Sequence, residues 1–222
     1  MSDLEDRRGR KKARTRTEIR AAAQRLFDER GFDAVTIADI ARQADVAVQT
    51  VFNHFASKEE LFFDGRVPWV DGPAEAVRSR AGASALEALR RYLVTTTWNL
   101  VEAHGSPERR RQMHTLEASP TLRAYERELV HEAETRLAGA LGEAWASDGG
   151  VLAGPSTGAA LSPTVTAAIW LTATRALITE RREQVAAGAD ARTAASETAA
   201  VTDRLLAGLE HGLSWAPVAA TG

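Results

Sequence analysis

The sequence predicts an all-α fold, and three features predict it. Apolar residues recur at spacings of three and four through most of the chain, the period of a helix with one buried face. Capping residues precede these runs. The pairs Ser106-Pro107, Ser119-Pro120 and Ser162-Pro163 each set a serine before a proline suited to the first helical turn. No stretch alternates apolar and polar residues as a half-buried strand would.

The elements follow in order. A first helix is expected over 15–30, where Ile19, Ala22, Ala23, Leu26 and Phe27 make one apolar face and Gly31 supplies a left-handed end. Thr36 caps a second helix, with Asp39 three residues on as an imperfect capping box. A break at 44–46 precedes a short third helix over 47–55, and Ser57-Lys58-Glu59-Glu60 is a capping box for a fourth. Residues 66–82 carry Pro68, Gly72, Pro73 and Gly82 and read as a connection between modules. Helices are then expected over 83–103, 107–116, 120–146 and 163–187. Gly188 ends the last of these, and Asp190 caps a final helix to 213. Residues 147–161 read as the least structured stretch. All six phenylalanines lie at or before Phe63 and all five tryptophans at or after Trp69, which points to two separately built cores.

Charge is distributed as unevenly as the aromatics. The net charge is only -2, but residues 7–16, RRGRKKARTR, hold seven basic side chains. Residues 7–60 carry twelve basic and eight acidic groups, a net of +4, whereas 61–222 carry sixteen and nineteen, a net of -3. A basic front and an acidic rear is the asymmetry of a chain that meets phosphate at one end. There is no cysteine, which excludes disulfides and thiolate metal sites. No apolar run approaches the ~18 residues of a membrane span, and no apolar signal core follows the start. These features lead us to expect a cytoplasmic protein.

The residues that fill the second and third helices narrow the function. The stretch TIADIARQADVAVQTVFNHFASKEEL, residues 36–61, resembles the DNA-binding module of the TetR (tetracycline repressor) family. Thr36, Ile40-Ala41, Ala44, Val46, Thr50, Phe52, His54, Phe55, Ser57-Lys58-Glu59 and Leu61 match the family pattern, and Ile19 to Gly31 fit its first helix. The resemblance implies an amino-terminal three-helix helix-turn-helix DNA-binding domain and a larger carboxyl-terminal helical domain for ligand binding and dimerisation. The divisions expected are a disordered basic arm at 1–13, the DNA-binding domain at 14–65 and the sensing and dimerisation domain at 66–222. The chain departs from the pattern in three places. Asp45 replaces the turn glycine, Ala47 the usual capping serine, and Phe52 the usual tyrosine, whose hydroxyl bonds phosphate.

Geometry assigns roles within the module. Side chains at the start of the second helix of a helix-turn-helix point at base edges in the major groove. Val48, Gln49, Thr50 and Asn53 are therefore the candidate base contacts, with Gln49 able to bond an adenine edge twice. The resemblance implies that Phe52, His54 and Lys58 lie along the DNA backbone, and Arg16, Thr17, Thr36 and Ala47 are the other candidate backbone contacts. Lys58 is expected to form a phosphate seat beside a helix N-terminus. The bland readings stand beside these: His54 as a packed core histidine, Gln49 as a solvated side chain.

The resemblance further implies a homodimer through the last two helices, a palindromic double-stranded DNA operator and a small-molecule effector. Trp98, Met113, Leu116, Tyr125, Trp170 and Thr174 are candidate pocket residues, with His114, Glu117 and Arg175 as orienting groups. Met113 and His114 lie on the short helix expected to couple the effector to the reading head. Neither a nucleophile elbow, a phosphate loop nor an H-E-x-x-H helix is present, so no enzyme, catalytic residue or cofactor is expected. His104, His114 and His131 lack metal-ligand spacing. Two alternatives stay open: an activator or ligand-independent regulator of the same fold, and a helical enzyme or interaction protein.

Overall fold

The computed structural model describes residues 2–147 and 162–213. Beyond Ser147, the stretch expected to be least structured lies outside the described residues. Those residues form the helices α1 (Ser2–Arg30), α2 (Ile37–Gln43), α3 (Val48–Phe52), α4 (Lys58–Phe63), α5 (Pro68–Arg78), α6 (Ala85–Ala103), α7 (Pro107–Ala118), α8 (Pro120–Ser147), α9 (Pro163–Ala186) and α10 (Ala191–Leu213). The fold is all-α, as the periodicity requires. None of the described helices is long and apolar enough to cross a membrane.

The helix ends follow the capping chemistry. Ser106 Oγ accepts from Arg109 N–H at 3.1 Å, Ser119 Oγ from Leu122 N–H at 3.4 Å and Ser162 Oγ from Val165 N–H at 3.3 Å, so all three Ser-Pro pairs open helices. Asp190 Oδ1 accepts from Thr193 N–H at 2.8 Å at the start of α10. Two elements differ from expectation. α1 begins at Ser2 and takes in the basic stretch read as a disordered arm. Only Gly9 interrupts good helix formers there, and an Arg14–Glu18 pair at 3.2 Å supports the helix. The stretch 66–82, read as a connection, contains α5. Pro68 occupies its first position, where the missing N–H costs nothing, and Val70, Pro73, Ala74 and Val77 form a buried face at helical spacing. Gly72 is there because of a close approach. A Cβ at that position would lie 1.8 Å from the hydroxyl of Tyr92, which donates to Pro68 O at 2.7 Å.

The chain forms two compact units. One comprises Met1–Val67 with Arg111–Glu126, the other Pro68–Arg110 with Arg127–Gly222. The first is thus not a continuous stretch. Most of α7 and the start of α8 complete it, which the sequence reading had placed wholly in the rear domain. The contacts responsible are long-range. Ser119 Oγ donates to Asp33 at 2.9 Å, Arg111 pairs with Asp28 at 3.5 Å, and Tyr125 stacks on Phe63 with ring centroids 5.6 Å apart. The core of this unit is the apolar face of α1 with Phe32, Val35, Ile40, Val51, Phe55 and Leu61 to Phe63, closed by Leu116 and Leu122. Phe27, Phe32 and Phe62 meet at 5.2 to 5.8 Å.

The second unit is built on α6, α9 and α10 with α5 and the rest of α8. Leu86, Leu89, Leu93, Leu137, Leu141, Trp170 and Leu206 form its larger apolar cluster. Arg90 of α6 pairs with Asp203 at 2.6 Å and Glu210 at 3.4 Å on α10.

Candidate nucleic-acid interface

The geometry of the first unit starts with two helix ends. Thr36 stands in extended backbone before α2. Its hydroxyl accepts from Asp39 N–H at 3.2 Å, and Asp39 accepts from Thr36 N–H at 3.1 Å, so the capping box is complete. Hydrogen bonds from the Thr36 side chain and backbone hold the Asp39 carboxyl below its ordinary pKa. α2 then closes in a Schellman motif: Val46 N–H reaches Ala41 O at 3.0 Å and Asp45 N–H reaches Arg42 O at 3.3 Å. That motif needs a left-handed residue between them, and Asp45 adopts φ 53°. The turn is kept without its glycine.

Ala47 offers no side-chain cap to α3. Serine at this position is expected to stabilise the first unit by about 1 kcal/mol. Urea denaturation followed by far-ultraviolet circular dichroism checks this, and a midpoint that does not rise would show the free N–H groups to be satisfied already.

α3 is anchored by one fully buried side chain, Val51, and by Phe55 just beyond it. Its other face is open. Val48 is 42% and Phe52 47% exposed, unusual for such side chains, and Gln49 and Asn53 are exposed beside them. Gln49 Nε2 donates to Asn53 Oδ1 at 3.2 Å, which fixes the two amides on one ridge. Thr50 is half-buried at the edge. The structure thus brings all four expected base-contact residues onto or beside one exposed face.

The expected backbone contacts divide. Thr17, Thr36, Ala47 and Phe52 are exposed, and Thr17 returns its hydroxyl to Ala13 O at 3.1 Å. Arg16 and Lys58 are committed inward. Arg16 bonds His54 O and Asp64 and lies 4.1 Å over the Phe55 ring. Lys58 Nζ donates to Phe32 O and Val35 O, both at 2.9 Å, and sits 4.1 Å over the Phe32 ring. The ammonium thus bridges α4 to the α1–α2 connection, beside the helix start expected to seat a phosphate. His54 is half-buried with Nδ1 unpartnered. Burial, then Lys12 and Arg16, holds its pKa below the ordinary value. Lys12, read from the sequence only as part of an arm, thus stands near the end of the reading helix. Its place one turn before Arg16 on α1 was the available signal.

The candidate pocket residues do not share a unit. Met113, Leu116 and Tyr125 belong to the first, and Trp98, Trp170 and Thr174 to the second. Tyr125 stacks on Phe63, Leu116 is buried, and Thr174 donates back to Trp170 O at 2.8 Å. His114 and His131 are exposed and His104 is buried. Among the described residues, no cluster of three metal-ligating side chains forms.

Comparison with known proteins follows the same lines. Residues 19–64 match the family model described as bacterial regulatory proteins, tetR family. MftR of Mycobacterium tuberculosis, a regulator named for mycofactocin biosynthesis, is 31% identical over 124 residues, 54% of this chain and 61% of its own length. KstR2 of Rhodococcus jostii, an HTH-type transcriptional repressor, is 34% identical over 97 residues, 43% of this chain and 47% of its own. The matches therefore span between about half and three fifths of these relatives. Among solved structures, NalD, the secondary repressor of the MexAB-OprM multidrug efflux pump in Pseudomonas aeruginosa, superposes with a TM-score of 0.53 at 24% identity, over 87% of this chain and 96% of that one. That likeness is one of fold.

Proposed function

We propose, from the match of residues 19–64 to the family model of bacterial regulatory proteins, tetR family, that this chain is a sequence-specific, DNA-binding transcriptional regulator of that family. In this reading it is a cytoplasmic homodimeric repressor, released from a palindromic operator by a small-molecule effector. The observation that carries the reading is the open face of α3, where Val48, Gln49, Phe52 and Asn53 stand exposed on a helix whose back is fully buried. A helix held this way enters the major groove, with Gln49 and Asn53 addressing base edges and Val48 a thymine methyl. Thr17, Thr36, Ala47, Phe52 and His54 meet the backbone. Arg16 and Lys58 act from behind, by holding α1, α3 and α4 in register.

A palindrome requires two such heads. α9 offers a surface for pairing: Val165, Ile169, Thr172 and Ala176 lie one or two turns apart, all exposed, and Leu205 is exposed on α10. NalD and KstR2 are described as repressors, which favours repression over activation in the same fold. The effector acts through α7, which carries Met113 and His114.

Selection of bound sequences from random duplex DNA tests the reading. A palindromic consensus bound with a steep inverse dependence on salt is the expected result; equal retention of all sequences would refute it. Within that consensus, Gln49→Ala is expected to relax discrimination at one base pair per half-site by about 1–3 kcal/mol while leaving the salt slope unchanged. Competition with single-substitution duplexes measures this. A uniform loss across all duplexes would move Gln49 from base reading to backbone contact.

A further inference from the structure

The core of the second unit holds two apolar clusters with a polar layer between them. Leu93 of α6, Trp170 of α9 and Leu206 of α10 belong to one cluster. Val101 of α6, Ile178 of α9 and Ala194 of α10 belong to the other. One turn after Leu93 stands Thr97, one turn after Trp170 stands Thr174, and Thr198 and Thr202 fill the two turns between Ala194 and Leu206. All four threonines are buried.

Thr174 and Thr198 return their hydroxyl hydrogens to their own helices, to Trp170 O at 2.8 Å and Ala194 O at 2.6 Å. Thr97 and Thr202 do not, and their hydroxyl oxygens have no partner. The same holds for the hydroxyl of Thr166, one turn before Trp170, and for the indole Nε1 of both Trp170 and Trp145, which pack in the first cluster. Buried polar atoms without partners are costly and few in native cores. Valine at the three threonines would have removed that cost at nearly the same shape. Five such atoms in one core therefore point to a partner that arrives from outside.

The chemistry of the five atoms defines that partner. An indole N–H only donates, so the partner carries acceptor oxygens. None of the five groups is charged, and a carboxylate or ammonium brought among them would lose its hydration without a counter-charge. The apolar clusters on either side suit a hydrocarbon body. We propose that the core α8 shares with α6, α9 and α10 binds a small uncharged molecule with an apolar body and carbonyl or ether oxygens, received by Thr97, Thr166, Thr202, Trp145 and Trp170. This deepens the effector-responsive reading above and rests on it.

The test uses the full chain and three neutral ketones, cyclohexanone, camphor and 1-tetralone, each set against its parent hydrocarbon. All five tryptophans lie outside the first unit, so their emission reports the second. At least one ketone is expected to raise the melting temperature saturably and shift that emission, with its parent binding about tenfold or more weakly. The double variant Thr97→Val/Thr202→Val is expected to melt a few degrees higher than the parent chain when free, and to lose the preference for ketone over hydrocarbon. A lower melting temperature for the free variant, equal binding of ketone and hydrocarbon, or no response to any of the ketones would each overturn the proposal. Operator affinity is measured in parallel. A ketone that binds without weakening it upholds the site and rejects the effector reading, whereas operator release that the double variant retains does the reverse.

Discussion

Replacing Lys58 with methionine is expected to destabilise the first unit by about 2–3 kcal/mol, on the scale of losing charge-assisted hydrogen bonds from a half-buried site. Methionine keeps most of the stem and its contact with Phe32, and removes the ammonium. What is lost is the bridge from α4 to Phe32 O and Val35 O, the two carbonyls that flank the entry to α2. Those oxygens lie on buried residues, so water does not freely replace the donor. Far-ultraviolet circular dichroism in urea reads the helices of both units and tryptophan emission the second alone, so a transition seen only in the dichroism belongs to the first. The outcome also decides between two roles. A clamp lowers stability and leaves the salt slope of the residual DNA binding intact. A phosphate contact would leave stability intact and lower the slope by about one.

The second large effect is a loss of stability in mild acid, centred on His104. Its ring is 4% exposed, and burial first, then Arg109 and Arg182, push its pKa down to about 4 from the ordinary 6.5. The unfolded chain thus takes up a proton near pH 6.5, and the folded chain takes it up only near pH 4. Stability from this group is complete above pH 6.5 and is lost as the pH falls toward 4. The difference between pH 7 and pH 5 amounts to about 2 kcal/mol. Unfolding free energies from urea curves followed by tryptophan emission should fall by that amount between pH 7 and 5 in the parent chain and much less in His104→Gln. Parallel curves for the two proteins would place the acid sensitivity elsewhere.

Much of the reading head is legible in the sequence because its determinants are local. Thr36, Asp45 and Ser57 act on groups within four residues of themselves, so spacing alone locates the turn and both helix starts. The open ridge of Val48, Gln49 and Asn53 follows from one buried neighbour, Val51. What escapes is set by partners far along the chain. Lys58 looks like a phosphate ligand until the carbonyls of Phe32 and Val35 are seen beside it. Arg16 looks free until Asp64 and His54 O are placed. Tyr125 reads as a pocket wall, but Phe63 is the ring it meets. The proline-rich stretch before α6 fails for a different reason. Pro73 costs α5 one hydrogen bond and crowds the preceding turn, yet the helix forms with Val70, Pro73, Ala74 and Val77 buried.

The interrupted make-up of the first unit also bears on how the protein is born. A ribosome releases residues 1–67 well before Leu116, Leu122 and Tyr125 exist to cover them, at ~5–20 residues per second. For several seconds the nascent chain carries Phe62 and Phe63 without their final cover. Residues 1–67 are made before their partners at 111–126, so the first unit is complete only after translation has passed Glu126. A truncation at the apparent end of the helix-turn-helix would hold the chain permanently in that sticky, chaperone-dependent interval.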